Sequence, residues 1–153
     1  MPELAVIAAF ERLAGQWDLN RTISGAGTVL GTAQFSPRTP EVLHYLETGN
    51  LSLSSGYVGK VYREYYYALE EDHIHVSFAD SAPGKHTFLR LYPVADGRSG
   101  HLQAKDTHYC ADDIYEASYS FESTKRMVIT VRVSGPKKDY TIHTALTRPP
   151  QGR

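Results

Sequence analysis

From Trp17 to Arg148 the chain alternates apolar and polar positions in short runs, a period-two signal that predicts β-strands. Only the start departs from it. Leu4, Ile7, Phe10 and Leu13 recur at helical spacing, with Pro2 suited to a first turn, which predicts a helix over about 2–14. Gly15 reads as the left-handed stop after it. Strand-like runs then cover about 16–24, 27–36, 41–53, 57–70, 73–79, 85–93, 100–109, 113–122, 126–134 and 138–148. Turn residues separate them, among them Ser24-Gly25-Ala26-Gly27, Pro37 to Pro40, Pro83-Gly84, Asp96-Gly97 and Gly135-Pro136. Connections this short favour antiparallel neighbours in sequence order. The pattern predicts an all-β chain: a closed, antiparallel up-and-down β-barrel of about ten strands over about 16–148, with the short N-terminal helix packed over one end. The tail from Pro149 to Arg153 is expected to fray.

The alternation also assigns faces. Trp17, Leu19, Arg21 and Ile23 share one face of the first strand, and the opposite face, Gln16, Asp18, Asn20 and Thr22, is wholly polar. The first face therefore looks inward. On the last strand Tyr140, Ile142, Thr144, Leu146 and Arg148 share a face. In an up-and-down barrel the last strand pairs with the first. Arg148 is then expected to lay its guanidinium on the ring of Trp17, the one Trp of the chain, a contact worth about 0.5–2 kcal/mol. The two would plug one end.

The informative residues are polar ones on inward faces. They are Arg21 on the first strand, Tyr45 and Glu47 on the third, and Arg63, Tyr65 and Tyr67 on the fourth, although Tyr62 and Tyr66 take the other face of the fourth. Both faces of the third strand are mixed, and its direction leans in part on the family resemblance given next. The seventh run places Leu102, Ala104, Asp106, His108 and Cys110 opposite His101, Gln103, Lys105, Thr107 and Tyr109. The eighth offers Tyr115 and Tyr119, and the last adds Tyr140. Unpaired, each buried charge would cost several kcal/mol, so the charges must pair or meet a ligand. Pairing Glu47 with Arg21 or Arg63 leaves one guanidinium for an anionic ligand group, a role its planar fork suits. A self-satisfied hydrogen-bond network that only fixes register is the alternative.

Gly15-x-Trp17 with an Arg near the end of the last strand resembles the calycin signature of lipocalins, fatty-acid-binding proteins and nitrobindins. A closer resemblance runs through Gly15-x-Trp17-x-Leu19-x-Arg21-x-Ile23, Leu43-x-Tyr45-x-Glu47-x-Gly49, Arg63-x-Tyr65-x-Tyr67, His108-x-Cys110-x-Asp112-x-x-Tyr115 and Gly135-Pro136-Lys137-Lys138-Asp139-Tyr140. These look like a family of small proteins known only as a domain of unknown function. The resemblance implies one calycin-like (lipocalin-like) barrel domain over 1–153 and brings no activity with it. Met127 stands where the family pattern has Trp, which would enlarge or soften that part of the interior.

Composition narrows the classes. At 153 residues one domain is expected. A formal net charge of −1 without a basic stripe argues against nucleic acid. Eleven Tyr against five Phe suits a pocket wall that is apolar along the ring and polar at the tip. One cysteine, Cys110, excludes an intrachain disulfide. Residues 1–14, interrupted by Glu3, Glu11 and Arg12, read neither as a signal peptide nor as a membrane span, so the expected location is cytoplasmic.

The leading expectation is binding of a small, partly polar or anionic ligand inside the barrel by a monomer or homodimer. Its binding residues are Arg21, Tyr45, Glu47, Arg63, Tyr65, Tyr67, His108, Tyr115, Tyr119 and Tyr140. The alternative is a cofactor-free enzyme of lyase, isomerase or cyclase type, with His108 as acid or base, Asp106 orienting it and Tyr115 assisting. Haem on His108 or His143 is a third reading, by analogy with nitrobindins, although His143 is expected outside. No metal site is expected: His108, Cys110 and Asp112 lack a second ligand pair, and His73-x-His75 is expected to face water. The direction of His86 is left open by the mixed faces of its run. Lys137-Lys138-Asp139 reads as a charged turn at the rim or as a cationic gate.

Overall fold

The computed structural model describes residues 2–150. One helix, α1 (Leu4–Glu11), precedes eleven strands. They are β1 (Gly15–Ile23), β2 (Gly27–Thr39), β3 (Val42–Leu53), β4 (Val58–Leu69), β5 (Ile74–Phe78) and β6 (Thr87–Leu91), followed by β7 (Val94–Ala95), β8 (Leu102–Cys110), β9 (Asp113–Ser123), β10 (Arg126–Ser134) and β11 (Asp139–Thr147). All lie in one antiparallel sheet of order β6-β5-β4-β3-β2-β1-β11-β10-β9-β8-β7. The expected pairing of first and last strands is present, with Leu19 opposite Leu146 and Arg21 opposite Thr144. Each predicted run coincides with a strand. The extra one, β7, is two residues long, too short for any periodicity to announce it.

The sheet curls until β6 approaches β8, yet no ladder joins them. In place of a backbone rung, the Arg90 amide of β6 donates to Asp106 Oδ2 of β8 at 2.7 Å. Beside it the Phe88 and His108 rings meet edge-on at 5.1 Å. The fully closed cylinder expected from the alternation is thus a barrel with one lengthwise seam. Gly31 and Gly49 face each other across β2 and β3. A Cβ on Gly31 would stand 2.0 Å from the Thr48 carbonyl oxygen, so the strands crowd there as only glycine allows.

One end is filled with hydrocarbon. Val6, Ala9 and Phe10 of α1 join Trp17, Phe35, Phe121, Met127 and Leu146 in one buried cluster. Met127 is 1% exposed there.

The helix is shorter than the expected 2–14. Past Glu11 the backbone tightens, the Arg12 and Leu13 amides donating to Ala9 O at 3.2 Å and Phe10 O at 3.1 Å, and side chains take the carbonyls that follow. Trp17 Nε1 donates to Leu13 O at 2.9 Å, and Arg148 Nη2 donates to Arg12 O at 2.7 Å and Ala14 O at 2.8 Å. Those carbonyls would otherwise be the unpaired end of the helix. Arg148 also lies 3.8 Å from the Trp17 ring centroid. Gly15 therefore does not stop the helix but opens β1 with φ +108°, where a Cβ would sit 2.9 Å from Arg148 Nη1.

One further expectation changes. Pro37 lies inside β2, beside a register shift, and not in a turn. Pairing with β1 ends at Phe35, so beyond it the missing proline donor faces only one neighbouring strand. The frayed tail falls in part on residues 151–153, outside the described residues. Among the described residues no helix is long and apolar enough to cross a membrane.

Candidate functional site

Above the hydrocarbon end the inward residues turn polar. Arg21 is carried on β1 between buried Leu19 and half-buried Ile23, and Glu47 on β3 two residues from buried Tyr45. They meet in a bidentate pair. Arg21 Nη1 donates to Glu47 Oε2 at 2.5 Å, Nη2 donates to Oε1 at 2.9 Å, and Nε donates to Thr144 Oγ1 of β11 at 2.8 Å. The Tyr45 hydroxyl donates to Glu47 Oε1 at 2.5 Å. Arg21 is 5% and Glu47 3% exposed, so the pair is a buried one. Burial alone would push the Glu47 carboxyl up. The Arg21 bonds and charge, with the Tyr45 bond, outweigh it and hold the carboxyl below its usual range. For Arg21, burial works against the charge and Glu47 more than offsets it, so the guanidinium is held above its ordinary value.

Deeper still, the Tyr67 hydroxyl of β4 and the Tyr119 hydroxyl of β9 meet at 2.8 Å. Burial pushes both phenols up, as it does Tyr45, so all three keep their protons. The wall beside them is aromatic. Tyr65 stacks on Tyr45 at 6.0 Å and on Phe88 at 5.5 Å with 12° between the latter planes, and Phe78 packs on Phe88 at 5.0 Å. Together these residues bound a cavity of about 400 Å³. Every residue expected to bind a ligand lines it: Arg21, Tyr45, Glu47, Arg63, Tyr65, Tyr67, His108, Tyr115, Tyr119 and Tyr140.

Two of them stand at the mouth and not in the buried centre. Arg63 is not buried with Glu47, its cross-strand neighbour; it is exposed at the mouth and makes no ion pair among the described residues. Tyr115 accepts from Lys138 Nζ at 2.9 Å, and Lys138 pairs with Asp113 at 3.0 Å. The Tyr115 hydroxyl and the Asp113 carboxylate together hold the Lys138 ammonium above its usual range. Cys110 is exposed at this rim.

His108 lines the cavity between Phe88 and Tyr115, whose ring centroid lies 6.1 Å away. Asp106 does not orient it. The Asp106 carboxylate turns to the seam and takes the Arg90 amide, because β6 offers there an amide that no strand pairs. His143 lies on the outer face and is exposed, bonded to Thr130 at 3.3 Å. His86 is exposed too, beside Asp80 at 3.0 Å. His73 and His75 lie on the outer side but are half-buried, bonded to Asp72 and Thr87. Among the described residues no group of three or more His, Cys, Asp or Glu gathers as metal ligands do.

Sequence reasoning missed one cluster. His101, expected on the outer face, is 5% exposed. Its Nδ1 lies 2.6 Å from Asp96 Oδ2, and its Nε2 lies 3.0 Å from the Ser120 hydroxyl. The loop after β7 folds back over the sheet to make these contacts, and no period-two signal marks a loop's path. Ser120 does not line the cavity, and the trio ties that loop down. Phe88 was also missed as a wall residue, since both faces of its run are mixed.

A curled antiparallel sheet around a polar-lined cavity, plugged by Trp17 and Arg148, defines a calycin-like β-barrel. The chain belongs to the Family of unknown function (DUF6314), which matches it over residues 13–148. Among solved structures it is similar to the phycobiliprotein lyase CPES of Guillardia theta, with TM-score 0.64, 10% identity and coverage of 98% of this chain and 99% of that one. It is likewise similar to Rv2717c of M. tuberculosis, with TM-score 0.63, 10% identity and coverage of 98% and 100%. The barrel EF1p2_mFAP2b gives TM-score 0.51, 12% identity and coverage of 95% and 99%. No curated protein matches the chain in sequence.

Proposed function

We propose that the barrel interior binds one small organic ligand, aromatic in its body and partly polar or anionic at its edge. The observation that carries this is the cavity of about 400 Å³, within the range of small-molecule sites, with aromatic walls and the Arg63 cation unpaired at its mouth. A register-fixing network explains Arg21, Glu47 and Tyr45, which satisfy one another. It does not explain a hollow above them. That EF1p2_mFAP2b is bound to DFHBI supports the reading that a sheet curled this way holds a small molecule. Catalysis by His108 is not carried forward, because Asp106 serves the seam and no other carboxylate bonds to the imidazole among the described residues.

Native mass spectrometry of the purified protein tests the proposal. The expected result is a retained or added small molecule that is lost on unfolding, with uptake abolished by Arg63→Ala while circular dichroism stays that of the wild type. Uptake unaltered by Arg63→Ala would refute the role of that residue. A Soret band in the purified protein would instead identify haem.

A further inference from the structure

The two ends of the cavity offer different chemistry, and both lie on β4. At the deep end the Tyr67 and Tyr119 hydroxyls bond to each other, and neither has another partner among the described residues. Two hydroxyls carry two hydrogens, and one bond uses one. The second hydrogen is left for an acceptor that enters the cavity, which both residues line. Midway, Arg21 and Glu47 cancel in charge and are already bonded, so the centre adds no net charge. At the mouth Arg63, hydrogen-bonded to Tyr65 and in no ion pair among the described residues, supplies a cation with further donors of its five to spare. Arg63 and Tyr67 are four residues apart on one face of one strand, a separation of about 13 Å. Between them the Tyr65 and Phe88 rings, nearly parallel at 5.5 Å, make a flat wall.

We propose that the ligand is a flat, rigid, two-ended molecule. A hydrogen-bond acceptor such as a carbonyl oxygen sits on the Tyr67–Tyr119 pair, and a carboxylate or similar anion about 13 Å away meets Arg63 at the mouth. This rests on the cavity being a binding site and adds which way round the ligand lies. The neutral Arg21–Glu47 pair is what turns the charge outward: an anion placed deep would compete with Glu47 for Arg21 and strand a buried carboxylate.

Three biphenyl probes test it by isothermal titration calorimetry. The first carries a carboxylate at one para position and an acetyl group at the other. The second replaces acetyl by isopropyl, which keeps the shape and removes the acceptor. The third keeps acetyl and lacks the carboxylate. The wild type is expected to prefer the first over the second about tenfold, and over the third about tenfold or more. Arg63→Gln should erase only the preference over the third. Tyr67→Phe with Tyr119→Phe should erase only the preference over the second, whereas either change alone should keep it, because the remaining hydroxyl retains its hydrogen. If the double variant does not fold, the wild-type preference for acetyl over isopropyl decides the deep end. Equal binding of the three probes, or preferences that survive both variants, would overturn the two-ended ligand and leave the cavity a binding site. No binding of any probe to the folded protein would overturn both.

Discussion

At the scale of single residues the buried Arg21–Glu47 pair is the most consequential contact. Removing one partner strands the other charge in the interior, so Glu47→Gln or Arg21→Met should cost about 3–5 kcal/mol. Replacing both by apolar residues of similar volume should cost much less than the sum, and urea unfolding followed by Trp17 fluorescence measures it. The pair also sets a pH dependence. The native carboxyl of Glu47 lies below its unfolded value. Its stabilising share is therefore complete above the unfolded value of about 4.3 and is lost as pH falls through the native one. Stability measured from pH 6 downward should drop below about pH 4 in the wild type, and Glu47→Gln should lack that share of the drop. Arg21 and Trp17 were legible in the sequence because a charge or an indole on an inward face breaks the expected pattern. Both faces of the strand that carries Glu47 are mixed, and its direction leaned in part on the family resemblance. Arg63 was legible only in part: alternation reports which face a side chain takes, not how high along the barrel it stands.

At the scale of elements the junction of α1 and β1 shows what local signals leave out. Gly15 after a helical run reads as a helix stop, yet the helix ends at Glu11 in a tighter turn, and Arg148, distant in sequence, takes the carbonyls of Arg12 and Ala14 that follow it. Its planar fork takes several carbonyls and a ring at once, and a lysine cannot reproduce that. Arg148→Lys is expected to destabilise the barrel by about 1–3 kcal/mol. Gly15→Ala should act similarly, since it places a Cβ against Nη1 and strains a positive φ. Chemical denaturation with both variants checks this, and no loss in either would show that the guanidinium finds other partners. The path of the loop that buries His101 was not legible, because its reason lies in Asp96 and Ser120, separated from it in sequence and joined only by the fold.

At the scale of the whole molecule the seam is the distinguishing feature. Eleven strands give ten ladders, and the gap between β6 and β8 is bridged by Asp106 and by ring contacts. Asp106→Ala should speed hydrogen exchange at the Arg90 amide about tenfold or more, while amides in the β1–β11 ladder hold their protection. Equal acceleration everywhere would mean that the carboxylate supports the global fold and not the seam. The order of strands was legible from short connections. The seam was not, because strand runs alone do not tell whether two outer edges reach bonding distance.

The pairing of β1 with β11 also has a consequence for how the protein is made. Its first strand waits, through synthesis of every other strand, for the one that flanks it. A ribosome-bound chain lacking Thr144 and Arg148 has a naked edge on β1, an unseated indole and a guanidinium at position 21 short of one acceptor. Such nascent chains should depend on chaperones until β11 has emerged, with the polar centre of the barrel assembling when that strand docks.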